Sequence, residues 1–262
     1  DGVRAAGDLE EAGKEEEEKE EEAKAKKPVR IVAMSDTHGF HRNLEVPDGD
    51  ILIHCGDASD TGRWPGKGRR DKHSGALPFR HFVKWFLSRP HARKYFVEGN
   101  HDDWRYSLAL MDEHILVGSL ECLGLHIHGL PYSRSHRGCN EIPSGVDVLV
   151  SHVPPWGVLD EALKPGQQPP PPGVDGHHTG SPPLRKMLTK LGAGAPRLHL
   201  FGHIHEARGI KKSTNGTIFA NVANANPGIA QRLEHGCMVF DVAPGGGGHV
   251  QMVKTSSEGL RC

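Results

Sequence analysis

Five times along this chain, a short apolar run ends in a polar cluster built from Gly, Asp, Asn, Ser or His. VRIVAM (29–34) runs into SDTHG, ILIHC (51–55) into GD, and KYFVE (94–98) into GNHD. DVLV (147–150) runs into SH, and LHLF (198–201) into GHIH. Short apolar runs bounded by turn formers read as buried strands. In open α/β sheets, ligands bind beyond the carboxyl ends of the strands. Five repeats of strand and then polar loop therefore predict an α/β fold whose chemistry gathers at the strand ends.

Helical signals lie between the strands. Phe79, Phe82, Val83, Phe86 and Leu87 follow i, i+3, i+4, i+7, i+8 spacing, which predicts a helix with one core-facing stripe. A second helix is expected over about 180–191, starting near Ser181 with Pro182 and Pro183 in its first turn. Residues 115–130 and 217–253 read as short strands and Gly-containing hairpins. KPGQQPPPPGVDG (164–176) reads as an extended loop: a surface connection on the plainer view, a polyproline partner segment on the other.

At 262 residues the chain can bury a sizeable core. Its net charge of −1 conceals an asymmetry. Residues 1–27 carry 11 acidic and 6 basic side chains, and the remainder 22 and 26. The tail is read as a solvated segment, helical at times through pairs such as Glu15–Lys19 and Glu20–Lys24. The expected organisation is an acidic tail over 1–27, one domain over 28–254 and a short tail over 255–262. No apolar run approaches the ~20 residues of a membrane-spanning helix, and the first 28 residues lack the apolar stretch of a secretory signal. The five cysteines, Cys55, Cys122, Cys139, Cys237 and Cys262, form no CxxC pair. They fit reduced thiols better than a disulfide framework, which makes a cytoplasmic location the expectation.

The polar clusters contain Asp36 and His38, Asp57, Asn100, His101 and Asp102, His152, and His203 and His205. Asp36 and His38, two apart on an extended segment, would point the same way and could bind one ion; His203 and His205 share that spacing. Nineteen histidines against three tyrosines already direct attention to metal chemistry. Carboxylate, amide and imidazole ligands suit Mn²⁺, Fe or Zn²⁺, and the lack of thiolates argues against a structural zinc site. Seven candidate ligands are too many for one ion. They suit a pair about 3.5–4 Å apart, the arrangement that clamps both oxygens of an in-line phosphoryl displacement.

The ordered pattern DxH, GD, GNHD, H, GHxH resembles the calcineurin-like metallophosphoesterase superfamily over residues 29–242. SDTHG, ILIHCGD, SHVPPWGVLD, PRLHLFGHIHEARG and FANVAN resemble one branch of it, the metallophosphoesterase domain-containing proteins of the fetal-brain type. Some members of that branch have lost a ligand in the last block; this chain keeps every one. The resemblance implies a four-layer α/β/β/α sandwich. It implies that Asp36, His38, Asp57 and His205 hold a first metal and that Asp57, Asn100, His152 and His203 hold a second, with Asp57 bridging. It further implies a metal-bridging hydroxide as nucleophile, His101 as the acid that protonates the leaving group, and Asp102 as the residue steadying that imidazole. The expected activity is hydrolysis of small phosphodiesters such as cyclic nucleotides. A phosphomonoesterase or protein phosphatase, and a non-catalytic scaffold, are the alternatives.

Two basic segments lie close to the motifs in sequence. Arg63, Lys67, Arg69, Arg70 and Lys72 form one; Arg134, His136 and Arg137 form the other. Each is either a solvated loop, the plainer reading, or a clamp on substrate phosphate or nucleic-acid backbone. A body charge of +4 is a weak footprint for nucleic acid, so a nucleic-acid partner is not expected. His41, His73, His91, His177, His178, His235 and His249 read as solvent-facing. His54, three residues before Asp57, reads as packing or as support for the site.

Overall fold

A computed structural model describes residues 27–59, 78–102, 111–132, 142–162, 177–226, 232–245 and 249–255. The acidic tail, both basic segments and the proline-rich loop lie almost wholly outside these residues, as do Cys139 and Cys262.

The five predicted strands are all present: β1 (Val29–Met34), β2 (Ile51–His54), β3 (Arg93–Phe96), β6 (Val148–Ser151) and β9 (Leu198–Phe201). The segments read as short strands hold β4 (Gly118–Cys122), β5 (Leu125–Leu130), β11 (Ile218–Asn221), β12 (Met238–Val242) and β13 (Val250–Thr255). The remaining strands are β7 (Glu161–Ala162), β8 (His177–His178) and β10 (Gly209–Lys212). Strands β13-β12-β1-β2-β3 form one sheet and β10-β11-β9-β6-β5-β4 another; β7 and β8 form a small ribbon. In the first sheet β1, β2 and β3 run parallel; in the second β5, β6, β9 and β11 do. Both parallel sets send the ends that carry the polar clusters to the same edge.

Three apolar clusters separate four layers. Ile31 and Ala33 of β1 and Ile51 and Ile53 of β2 meet Ile127, Val148, Val150, Leu198 and Leu200 of the opposite sheet. The alternate residues Val32, Met34 and Leu52 face outward and pack under α1 (Phe79–Leu87) through Phe79, Phe82, Val83 and Phe86. Leu149, Phe201 and Phe219 pack under α2 (Pro182–Leu191) through Leu184 and Leu188. Because successive side chains on a strand point to opposite faces, a strand covered on both sides is apolar at most positions. That is why these strands read as continuous runs and not as alternation.

Both helices lie where their spacing predicts. Leu87, expected in the core stripe, is the last residue of the helix and is 37% exposed instead. Ser181 caps α2, its hydroxyl accepting the Leu184 backbone N–H at 3.3 Å, with Pro182 and Pro183 beginning the helix. His41 and His91 correct the reading of a solvent-facing set: both are buried. His41 sits between the rings of Phe82 and Trp85, with centroids 5.6 and 5.2 Å away. Cys55, Cys122 and Cys237 are buried in the core and form no disulfide. Among the described residues, no helix is long and apolar enough to cross a membrane.

Candidate metal centre

All nine motif residues come together at the shared edge of the two sheets. Asp36, His38 and His205 form one group of convergent ligand atoms, and Asp57, His152 and His203 a second. Asn100 joins the second, its Oδ1 lying 2.9 Å from His152 Nε2.

The two-residue spacing works differently from its prediction. Asp36 and His38 are not on extended backbone: their φ angles are 57° and 42°. Asp57 and His203 are also left-handed, at 57° and 71°. Among the described residues, four of the six non-glycine positions with positive φ are thus motif residues. These side chains reach their neighbours because the chain curls sharply after β1, β2 and β9. For the same reason His203 and His205 separate into different groups. Backbone hydrogen bonds hold the curl: Asp36 N–H to Gly56 O at 2.9 Å, His38 N–H to Asp57 O at 3.0 Å and Gly39 N–H to Ala58 O at 2.9 Å. A Cβ on Gly99 would overlap the Asp57 carboxylate, and one on Gly202 the Asp36 carboxylate and Ser35 hydroxyl. These motif glycines are required by close approach.

The hydrogen bonds fix the imidazoles. His205 Nδ1 donates to Asn226 O at 3.0 Å, so its Nε2 presents a lone pair. That lone pair faces Asp36 Oδ1 at 3.3 Å and His38 Nε2 at 3.2 Å. His152 Nδ1 donates to Cys55 O at 2.8 Å, so its Nε2 presents a lone pair to Asp57 Oδ2 at 3.3 Å and to Asn100 Oδ1. In each group, acceptor atoms face acceptor atoms, and only a proton or a cation reconciles them. Backbone carbonyls behind ligating histidines are the usual support of such sites. The residues present therefore fit two divalent ions, by donor chemistry and by orientation.

Protonation preferences show the same field. Burial alone would depress His152, but the Asp57 charge and hydrogen bond overcome it and carry the imidazole up to about 9. Burial opposes ionisation of Asp36, yet the His205 hydrogen bond and charge hold its carboxyl well below the ordinary range. Asp57 behaves likewise, through His152 and His101. His38 falls to about 4 and His203 to about 3, chiefly through burial.

His101 is partly exposed at the opening. Its Nε2 lies 4.0 Å from Asp57 Oδ2, and its ring meets His38 edge-on at 5.1 Å. Its backbone N–H donates to Asp57 Oδ1 at 2.8 Å. Asp102 turns inward, away from the role expected of it. Its carboxylate accepts the backbone N–H groups of Asp57 at 2.8 Å, Gly99 at 3.0 Å and Ser59 at 3.2 Å. Burial and the Asp57 charge push it up to about 7. The geometry gives Asp102 the task of pinning the Asp57 loop to the GNHD loop.

Supporting residues surround the ligands: His54, read from the sequence as packing or support, and Asn224 and Tyr132, which no motif singled out. His54 accepts Gly56 N–H on Nδ1 at 3.2 Å and so donates from Nε2 to Thr37 Oγ1 at 3.1 Å, tying two ligand loops together. Asn224 accepts Ser35 N–H on Oδ1 at 3.0 Å and bonds His235 O and Gly236 O through Nδ2. Tyr132 sets its ring 6.1 Å from those of both His152 and His203. For Asn224, the asparagines of FANVAN were the available signal; Tyr132 carried none.

A model of the calcineurin-like phosphoesterase family matches residues 29–207. The chain belongs to this family. Human metallophosphoesterase domain-containing protein 1 is 28% identical over 252 residues, covering 77% of this chain and 69% of that protein. A probable rhamnogalacturonate lyase C of Emericella nidulans is 30% identical over 211 residues, 69% of this chain. This chain spans only 17% of that protein's length. Among solved structures, GAP50, the anchor in the inner membrane complex of Plasmodium, superposes with a TM-score of 0.50 at 11% identity. The match covers 90% of this chain and 87% of that one, and shows a shared fold.

Proposed function

We propose that this family member is a phosphoesterase dependent on two divalent ions, Mn²⁺, Fe or Zn²⁺, that hydrolyses small phosphodiesters such as cyclic nucleotides. The observation that carries the reading is the pair of facing acceptor groups, Asp36/His38/His205 and Asp57/His152/His203/Asn100, with His101 at their opening. Asp57 is assigned to both ions and the other ligands to one each. Two ions held there would supply charge neutralisation of the phosphoryl oxygens and a nucleophile available near neutral pH.

The chain's own residues supply the rest. Asp36 and Asp57, held ionised, set the negative field that retains the ions. His205 and His152 are kept in the ligating tautomer by Asn226 O and Cys55 O. His101 presents Nε2 at the open side, where it can donate a proton to the leaving-group oxygen. Asp102 keeps Asp57 and the His101 backbone in register. The diester preference rests on the resemblance to the fetal-brain branch.

The test compares an aryl phosphodiester with the matching monoester, with and without Mn²⁺, in wild type and Asp57→Ala. Metal-dependent turnover faster on the diester, lost in the variant, is expected. Ligand linkage also predicts that Mn²⁺ raises the wild-type melting temperature and leaves that of Asp57→Ala nearly unchanged. Equal turnover by both proteins would overturn the assignment, and a faster monoester reaction would overturn the diester preference.

A further inference from the structure

Beside the metal centre, the chain builds a feature that the proposed chemistry does not use. After His152, the segment Val153-Pro154-Pro155 leads to Trp156, which is 47% exposed. The ring of His178 lies against it, with centroids 5.0 Å apart. His178 is not free to turn. Its Nδ1 bonds Asp160 Oδ1 at 2.8 Å, and Asp160 is fully buried. The other Asp160 oxygen accepts Gly157 N–H at 3.0 Å and Gly180 N–H at 2.9 Å, closing the two halves of the segment on each other. With Nδ1–H donating to the carboxylate, Nε2 of the ring is left as an oriented lone-pair acceptor.

The segment is also locked to the metal-centre loop. Asn221 Nδ2 donates both to Leu159 O at 3.2 Å and to Ile204 O at 2.8 Å. Ile204 lies between His203 and His205. The strand β7, paired with β8 through Glu161 and His178, packs beside the short turn His205–Ala207. A buried carboxylate, a doubly bonded asparagine and a two-stranded ribbon thus hold one exposed indole and one oriented imidazole next to the site. An exposed tryptophan face contributes little to folding, and its natural complement is another flat π-system.

Building on the phosphoesterase reading, we propose that Trp156 and His178 form a platform for the heteroaromatic base of a nucleotide substrate whose phosphate lies in the metal centre. The indole stacks on the base, and His178 Nε2 accepts an N–H of the base, such as an exocyclic amino group. Ribose and phosphate alone leave the platform empty.

The test measures equilibrium binding of adenosine 5′-monophosphate and of ribose 5-phosphate to the Mn²⁺-loaded protein. Wild type, Trp156→Ala, Trp156→Phe and His178→Ala are compared. Wild type is expected to prefer the nucleotide by about tenfold or more, the scale of one stacked base. Trp156→Ala should erase most of that preference, Trp156→Phe should retain most of it, and His178→Ala should lose part. Ribose 5-phosphate affinity and turnover of a small alkyl phosphodiester should stay unchanged in all variants. An unchanged nucleotide preference in Trp156→Ala, with normal alkyl-diester turnover, overturns the platform alone. Absence of both phosphate binding and diester turnover in wild type overturns the phosphoesterase reading, and the platform with it.

Discussion

At Asp36, His38, Asp57 and His203 the backbone holds a conformation that side-chain-bearing residues adopt rarely, at about 1–3 kcal/mol each. Such strain persists where the surroundings over-determine it. Here the surroundings are the crossed backbone bonds between the Asp36 and Asp57 loops and the Asp102 carboxylate beneath them. Two predictions belong to this scale. Gly99→Ala should remove activity and lower bound metal, because its methyl group occupies the position of the Asp57 carboxylate; elemental analysis and turnover check it together, and full metal content would contradict it. His101→Ala should lower kcat on an aryl diester by about 10²–10⁴-fold, the usual worth of a positioned acid, with metal content intact. A loss of metal in that variant would reassign His101 from acid to ligand support.

Among elements, the strands set position and the turns after them set chemistry. The parallel strands β2, β6 and β9 are buried at every position and therefore have little freedom to slip. That rigidity lets a curl of two or three residues aim a carboxylate or an imidazole. The helices contribute cover. Phe82 and Phe86 of α1 seal the outer face of the first sheet, and α2 depends on one hydroxyl to begin. Ser181→Ala should therefore cost about 1 kcal/mol of stability by urea denaturation, with metal-dependent turnover retained. The same serine bridges to Pro155 beside Trp156, so a loss of nucleotide preference with unchanged stability would place Ser181 in the platform and not in the cap.

For the whole molecule, the buried neutral histidines link stability to pH. Burial holds His41 near a pKa of about 3 and His199 likewise, against about 6.5 when unfolded. Below pH 6.5 the unfolded chain takes up protons that the folded chain refuses. Stability is therefore complete above that pH and is lost as pH falls towards 3. Between pH 7 and 5 each such histidine costs roughly 2 kcal/mol. Urea midpoints at the two pH values should differ less in His41→Leu than in wild type. An identical pH dependence would show that His41 carries its proton in the folded state.

Much of this was written along the chain. Uninterrupted apolar runs are what strands covered on both faces must be, and small or polar residues at their ends are what a site at that edge must use, so both features were legible residue by residue. The grouping was not. Asp36 with His38 and His205, and His203 apart from its near neighbour, follow from left-handed turns stabilised by bonds between distant segments. The inward turn of Asp102, the burial of His41 under α1 and the clamp of Asn221 on Leu159 and Ile204 have the same origin. Sequence alone determined which elements form and which residue types reach the edge, because burial and periodicity are local demands. The tertiary structure decided which atoms face one another, because that depends on hydrogen bonds between segments that only packing brings together.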